Sequence, residues 1–350
     1  MILKSISLQN FRSYQQAEFD FSPLATVIIG PNTAGKSNLL EAIYLLSSGK
    51  SFRAEKDMQM ISFGSAFARV RGEIEEDEKK DILEVILTAP SPTVRTHAKK
   101  FLINGVPKRQ IDFAGFLPTL LFIPADLNII ISSPSYRRDF LDSVLELVDK
   151  QYRQAKILYE KALKRRNALL DLVKETGVRN DQQFVYWDEI LITNGDYLSK
   201  KRSELIEYFN NQQKEIIHFQ VKYDHSQISK ERLQQYYGAE IAAGVTLVGP
   251  HRDDFYVELE EGADVRYFGS RGQQRLVVLQ LKLLQLSYIE QSLGKRPLLL
   301  LDDIFSELDD QHINLIMKII DRQQTILTTT HKEFVNDYLQ KFSVIELSKK

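Results

Sequence analysis

The sequence predicts an α/β fold in which a head is divided along the chain by a mainly helical insertion. Three observations predict it. A short apolar run, Ala25–Ile29, passes through a glycine-rich turn into a helical pattern. From 134 to 240 the chain is polar, poor in Gly and Pro, and carries apolar residues at helical spacing. From 241 to 350 the α/β texture returns, with a fully apolar strand, Leu298–Leu301, and a second strand, Thr325–Thr329, separated by a helix.

Taken in order, Lys4–Asn10 alternates as a half-buried strand does, and Ala66–Ile74 and Ile82–Ala89 read as paired strands. Phe101-Leu102-Ile103 runs into Asn104-Gly105, a hairpin signal. Leu141, Val144, Leu145 and Val148 recur at helical spacing, as do Ile157, Leu158, Leu163, Leu169 and Leu170. A long helix is expected over about Gln273–Ser292. The expected domains are therefore 1–133, a first lobe of the head; 134–240, a helical arm; and 241–350, a second lobe. No internal repeat or low-complexity tract interrupts them.

Composition excludes several function classes. The 350 residues are 43% hydrophobic and 27% charged, ordinary for a folded soluble protein. There are no cysteines, which excludes disulfides, thiolate catalysis and cysteine-based zinc sites, and a cytoplasmic location is expected. No window reaches the roughly 18 apolar residues of a membrane span, so no membrane association is expected. Met1–Ser5 leads directly into a strand pattern, and no signal peptide is expected. Net charge is −1, so any nucleic-acid footprint has to be local.

The glycine-rich turn is Gly30-Pro31-Asn32-Thr33-Ala34-Gly35-Lys36-Ser37, set between a buried strand and the helix over Asn38–Leu46. That is the context of a phosphate-binding loop. Gly30 and Gly35 let backbone N–H groups close on phosphate oxygens, and the helix N-terminus adds partial positive charge. Lys36 is expected to reach the β- and γ-phosphates of ATP, and Ser37 to ligate Mg2+. The strand Leu298–Leu301 ends in Asp302 and Asp303, where ligands bind in open α/β sheets. Asp302 is expected to hold the metal and Asp303 to orient or deprotonate the attacking water. An N-cap is the plainer role for such an Asp, but it accounts for one acid, not two.

Ser270-Arg271-Gly272-Gln273-Gln274 opens the long helix, and its Ser270 hydroxyl with the backbone N–H groups suits an anion or a cap equally. Ser306–Asp309 follows the acid pair, and His331 ends the second strand, where it can contact a γ-phosphate.

In this order, Gly30–Ser37, Ser270–Gln273, Asp302–Asp303, Ser306–Asp309 and His331 resemble the Walker A, signature, Walker B, D-loop and switch-histidine motifs of ABC-type ATPases. Leu8–Tyr14 looks like the start of SMC-like DNA-repair ATPases. Gly49–Arg53, Phe122–Leu127, Ser133–Asp142, Gly249–Asp254 and Ser270–Arg275 are similar to the RecF family of bacterial recombination and repair proteins, over nearly the whole chain. The resemblance implies an ABC-type P-loop ATPase head with a mainly helical inserted arm domain. It implies an ATP-bound homodimer in which Ser270, Gly272 and Gln273 complete the site of the second subunit, and a nucleotide contact from Arg12. It further implies weak DNA-stimulated ATP hydrolysis, with Asp303 and His331 catalytic. DNA, double-stranded and at single/double-strand junctions, and a RecR-like mediator are the implied partners.

Two basic clusters are candidates for DNA contact: Lys150–Arg166, and the strand and turn carrying Arg95, His97, Lys99, Lys100 and Lys108. Each reads equally as a solvated face. His251-Arg252-Asp253-Asp254 has no second histidine at metal-ligand spacing, and a structural or nucleotide-sensing role is expected. A transporter-driving ABC subunit shares the ATP motifs, but Leu8–Tyr14 and Gly249–Asp254 speak against it. A nuclease-associated SMC-like ATPase calls for a coiled coil longer than 134–217 can hold.

Overall fold

Alternation of buried and exposed positions builds the first strand, β1 (Ile2–Phe11), with Leu3, Ile6 and Leu8 on the covered face. The computed structural model describes residues 1–90, 98–260, 262–307, 310–330 and 342–348. They form two compact units, Met1–Ala125 with Ile289–Lys350, and Asp126–Tyr288. These divisions lie at 125/126 and 288/289, whereas composition places the changes of texture near 133 and 240.

In the first unit, β2 (Tyr14–Asp20) pairs antiparallel with β1. The next strand, β3 (Ala25–Ile29), is buried at every position and belongs to a second sheet. Helix α1 (Lys36–Ser48) follows the glycine-rich turn. Strands β4 (Phe67–Glu76), β5 (Lys79–Thr88), β6 (Ala98–Ile103) and β7 (Val106–Lys108) complete an antiparallel sheet ordered β2-β1-β4-β5-β6-β7. The β6–β7 turn is the expected Asn104-Gly105 hairpin, with φ of 52° and 76°. The β4–β5 turn uses the same left-handed geometry with Asp77 and Glu78, φ 49° and 66°, and so carries no glycine signal. A short helix, α2 (Gln110–Phe113), precedes β8 (Thr119–Phe122).

Helix α1 joins the two sheets of this unit. Leu39, Leu40, Ile43, Leu45 and Leu46 lie in one apolar cluster with Leu3, Ile6 and Val70 of the antiparallel sheet and Ile28, Leu300 and Ile326 of the parallel one. Gly72 permits the approach to β4: a Cβ there would lie 2.7 Å from Leu46 Cδ1.

The second unit contains α3 (Asn128–Ile131), α4 (Pro134–Val148), α5 (Lys150–Thr176), α6 (Asp181–Asn211), β9 (Gln220–Asp224), α7 (Lys230–Ala243), β10 (Asp254–Glu258) and α8 (Val265–Phe268). Helix α9 (Arg271–Leu293) begins in it. Pairing of β9 with β10 ties 254–258 to the helical segment, which is why those residues group with it. On α5 the buried face is Tyr152, Ala155, Tyr159, Ala162, Arg166, Leu170 and Val173. Ile157 and Leu158, expected on that face, are 55% and 38% exposed. Two tyrosines and an arginine take the inner positions because their polar ends find partners there.

Those partners form a buried network. Arg202 donates through Nε to Asp142 Oδ1 at 2.9 Å and through Nη1 to Asp253 Oδ2 at 3.0 Å and the Pro250 carbonyl at 2.7 Å. Tyr152 donates to Asp142, and Ser226 N to Asp253 Oδ1. The network also answers the basic-cluster expectation for α5. Lys156 pairs with Asp142 and Glu146, Arg153 donates to the Glu146 carbonyl, and Arg166 is buried against Asp188 and Glu240. Lys161, Lys164 and Arg165 are exposed. Of the second cluster, Arg95 and His97 lie outside the described residues, and Lys99 pairs with Asp57.

Returning to the first unit, β11 (Leu298–Asp302), α10 (Asp310–Ile320), β12 (Thr325–Thr329) and β13 (Ser343–Glu346) close a parallel sheet ordered β13-β3-β12-β11-β8. Strands β3, β11 and β12 are buried at every position, so they offer polar chemistry only at their ends. Among the described residues, no helix is long and apolar enough to cross a membrane.

His251 of the second unit allows a test. Its Nε2 lies 3.0 Å from the Thr246 carbonyl and its Nδ1 2.6 Å from Tyr159 OH, so the neutral ring carries its proton on Nε2 and accepts from Tyr159. Burial pushes its pKa down to about 4. Unfolded, the ring takes up a proton below about 6.5. The stabilisation from neutral His251 is therefore fully present above about pH 6.5 and lost as pH falls toward 4, by at most about 1.4 kcal/mol per pH unit. We expect the melting temperature of the wild type to fall more steeply between about pH 7 and about pH 5 than that of His251→Gln, measured by circular dichroism. Parallel pH profiles for the two proteins would refute the assignment.

Candidate functional site

The parallel sheet delivers three strand ends to one edge: Gly30 after β3, Asp302–Asp303 at the end of β11, and Thr328–Thr329 at the end of β12. Between β3 and α1 the chain makes the turn Gly30–Ser37. Thr33 has φ 74° and Gly35 φ 103°. Gly35 has a double requirement for glycine, since a Cβ would also lie 2.8 Å from Tyr14 OH. Tyr14 OH donates to the Gly35 carbonyl at 3.1 Å, and burial pushes its pKa up to about 12. Helix α1 starts with no side-chain cap and no acid in its first turn, which leaves its first N–H groups available to an anion.

Lys36 Nζ donates to the Gly30 carbonyl at 2.6 Å and the Pro31 carbonyl at 3.1 Å. Burial lowers its pKa, while the charges of Asp303 and Asp302 oppose that shift. Ser37 Oγ donates to Asp302 Oδ1 at 3.0 Å. Asp303 holds a left-handed backbone, φ 50°. One cleft is lined by Asn32, Thr33, Gly35, Lys36 and Ser37 of the turn and by Asp302 and Asp303; Asn38 and Arg53 complete its wall. Pro31 is exposed beside it, and Ala34 is buried beneath the turn.

The donor set fits a hard cation. Ser37 Oγ and the Asp302 carboxylate are adjacent oxygens, and Mg2+ takes oxygen ligands, usually one or two carboxylates plus substrate phosphates. Among the described residues, no group of three or more acids or histidines forms a protein-only metal cage.

Arg53 and Asn38 are cleft residues to which sequence reasoning gave no site role. Arg53 Nη1 donates to Asn38 Oδ1 at 3.2 Å, and a turn around Ser51 Oγ, which accepts from the N–H groups of Arg53 and Ala54, sets the loop that carries Arg53. The family-like stretch Gly49–Arg53, with a cation a short loop beyond the phosphate-loop helix, is the signal that marks Arg53. Arg12, the expected nucleotide contact, binds within the unit: Nε and Nη2 grip the Glu41 carboxylate, and Nη1 donates to the Gln59 carbonyl at 2.7 Å. It does not line the cleft.

Ser270, Gly272 and Gln273 belong to the second unit and are exposed at the start of α9. Ser270 Oγ accepts from Gln273 N at 3.2 Å, and Gln273 Oε1 accepts from Ser270 N at 2.8 Å, a reciprocal capping box. His331, Leu308 and Asp309 lie outside the described residues; Ser306 and Glu307 end a short helical turn, Ile304–Glu307.

Glu41 is fully buried, so Arg12 is its charge partner as well as a donor. Arg12→Ala is expected to destabilise the protein by about 3 kcal/mol, because it strands a buried carboxylate. Arg12→Ala with Glu41→Gln is expected to recover part of that loss, since a neutral amide is less costly to bury. Urea denaturation measures both, and equal losses would show that charge pairing is not the cause.

Comparisons with known proteins agree with this geometry. The model for the RecF/RecN/SMC N terminal domain matches residues 2–350. The chain is 36% identical to the DNA replication and repair protein RecF of Moorella thermoacetica, over 94% of this chain and 90% of that one. It is 36% identical to the protein of the same name from Lachnoclostridium phytofermentans, over 97% and 96%. A solved structure of the recombination mediator protein RecF with ATP, in the RecFOR pathway, superposes with a TM-score of 0.87 at 33% identity, over 95% of this chain and 92% of that one. An SMC head bound to the C-terminal winged-helix domain of ScpA shares the fold, with a TM-score of 0.50 at 16% identity, over 99% and 94%. The α/β nucleotide-head architecture with a helical insertion is thus that of a known group, and the chain belongs to the RecF family of the RecF/RecN/SMC N-terminal-domain proteins.

Proposed function

We propose that this chain is an ATP-dependent DNA-binding protein of recombination and repair, in which bound ATP holds two copies together and slow hydrolysis releases them. The observation that carries the reading is the cleft in which Lys36 and the open start of α1 face the Ser37–Asp302 hydrogen bond. A relative of 33% identity is described with ATP, and curated relatives of 36% identity are named for DNA replication and repair.

The residues divide the work as follows. Backbone N–H groups of Gly30–Ser37 and the start of α1 receive the phosphates. Lys36 exchanges its loop carbonyls for β- and γ-phosphate oxygens, a swap that its burial favours because the anion replaces weaker dipoles. Ser37 Oγ and Asp302 hold Mg2+, which when bound neutralises charge on the phosphate oxygens. Asp303 takes a proton from the water that attacks the γ-phosphorus, and His331 contacts the γ-phosphate. Arg53 adds a cation at the cleft wall. Arg12 acts by fixing Glu41 of α1 beneath the site. Ser270, Gly272 and Gln273 of a second copy close the cleft with the start of α9. The ATP-bound dimer binds double-stranded DNA and single/double-strand junctions, and works with a RecR-like mediator in the cytoplasm. A two-lobed ATPase head, 1–133 with 241–350, and a helical arm, 134–240, remain the functional division we propose.

Two variants test the reading. Lys36→Ala is expected to weaken binding of a fluorescent ATP analogue by about 10- to 100-fold, the worth of a charge-assisted phosphate contact. Ser270→Arg is expected to keep that binding and to abolish the ATP-dependent rise in mass measured by light scattering. A wild-type mass that is the same with and without ATP would sink the dimer switch. Gel shifts on gapped, duplex and single-stranded DNA complete the test, and no ATP-dependent binding to any of them would refute the DNA role.

A further inference from the structure

Thr328 carries a hydroxyl where the fold itself requires none. It is fully buried near the end of β12, the strand between β3 and β11, and it stands opposite Asp302 in the parallel ladder. Valine has the same shape and the same liking for a strand. A buried hydroxyl is unfavourable unless bonded, so its presence calls for partners.

Both partners are acids of the cleft. The Thr328 hydroxyl donates to Asp302 Oδ1 at 2.7 Å, the oxygen that also accepts from Ser37. The same hydroxyl accepts from the backbone N–H of Asp303 at 3.0 Å. Its hydrogen and one lone pair are thereby used in the two ways a hydroxyl allows. The second bond bears on strain. Asp303 sits at φ 50°, a conformation non-glycine residues rarely hold without support. Its N–H also reaches the Thr328 carbonyl, at a longer 3.3 Å. Without the hydroxyl the shorter of these two contacts is lost.

We propose that Thr328 is the positioning residue of the acidic pair: it turns one Asp302 oxygen to Ser37, leaving the other for the cation, and pins the left-handed turn that aims Asp303 at the attacking water. This rests on the ATP-hydrolysis reading above. Thr328 touches neither nucleotide nor water in the proposal; it acts through Asp302 and Asp303. Nucleotide capture belongs to Gly30–Ser37, so loss of the hydroxyl affects metal use and turnover more than affinity for ATP itself.

The test compares full-length wild type with Thr328→Val, which keeps shape, and Thr328→Ser, which keeps the hydroxyl. Steady-state ATPase gives kcat and KM, and fluorescent ATP-analogue binding is titrated with and without Mg2+. Thr328→Val is expected to lose turnover by about 10- to 100-fold, the usual effect of removing a support for a metal ligand. KM and metal-free affinity are expected to change by less than about threefold, while the Mg2+ concentration that half-saturates binding rises. Thr328→Ser is expected to return both readouts close to wild type. Should Thr328→Val fail to fold, judged by thermal melting, Thr328→Ala takes its place, removing the hydroxyl without added bulk. An active wild type with unchanged turnover and Mg2+ dependence in the apolar variant overturns this proposal alone, as does a serine variant as impaired as the valine one. A wild type that binds no nucleotide overturns the ATPase reading and this proposal with it.

Discussion

The hydrogen bond between Ser37 and Asp302 joins residues 265 positions apart, and the geometry of the cleft depends on it. It exists because β3 and β11 flank the same strand, β12, in a parallel sheet. Strands buried on both faces have no solvated side on which to place a polar group. Their chemistry is confined to the ends, and the parallel arrangement puts the ends of β3, β11 and β12 on one edge. Helix α1 then serves two purposes with one surface. Its apolar residues join the sheets into a single core, and its uncapped start faces the acids. Glu41, gripped by Arg12, sits on the same helix and is fully buried. A change in how α1 seats is therefore also a change in the cleft.

The second unit is organised differently, around charge. Arg202 lies between Asp142 and Asp253, and Arg166 between Asp188 and Glu240, with tyrosine and threonine hydroxyls taking up remaining bonds. Such networks hold geometry closely because breaking one member strands a buried charge. They also consume cations that look like a nucleic-acid surface in the sequence. Lys156, Arg153 and Arg166 face partners inside the unit, so of this run α5 presents Lys150, Lys161, Lys164 and Arg165 outward, a smaller footprint than the charge run suggests.

How much of this is legible in the sequence depends on how far apart the interacting residues are. The phosphate loop is contiguous, and its strand–turn–helix setting is readable from adjacent residues. The fold class follows from the same local patterns, as does the Asn104-Gly105 hairpin. The turn at Asp77-Glu78 adopts the same geometry without glycine, and only the pairing of β4 with β5 reveals it. On α5 the leucine count misleads because Tyr152, Tyr159 and Arg166 are buried through polar bonds that apolar periodicity does not register. Arg53 and Thr328 are legible only after folding. One gains meaning from the cleft wall, the other from a strand register 26 residues from the acid it supports. Arg12 shows the converse, a local resemblance pointing toward the nucleotide while the folded guanidinium is held by Glu41.

Ser270 shows how a plain structural role and the proposed binding role can coexist in one residue. Its capping box with Gln273 satisfies helix-terminal groups, which taken alone is a sufficient reason for a serine there. Accepting the Gln273 N–H uses an oxygen lone pair and leaves the hydroxyl hydrogen to be donated. The remaining N–H groups of the first turn point the same way along the helix axis, with the positive end of its dipole. In the proposed dimer, capping prepares the start of α9 for an anion, because it fixes the orientation in which that hydrogen and those N–H groups are presented. A γ-phosphate brought by a second copy would meet donors already ordered, so little conformational entropy remains to be lost when the two copies close. The same logic separates the two helix starts of the proposed composite site. That of α1 is uncapped and shaped by the loop before it, suiting a phosphate chain enclosed within one copy. That of α9 is capped and exposed, suiting a surface that meets its phosphate from outside.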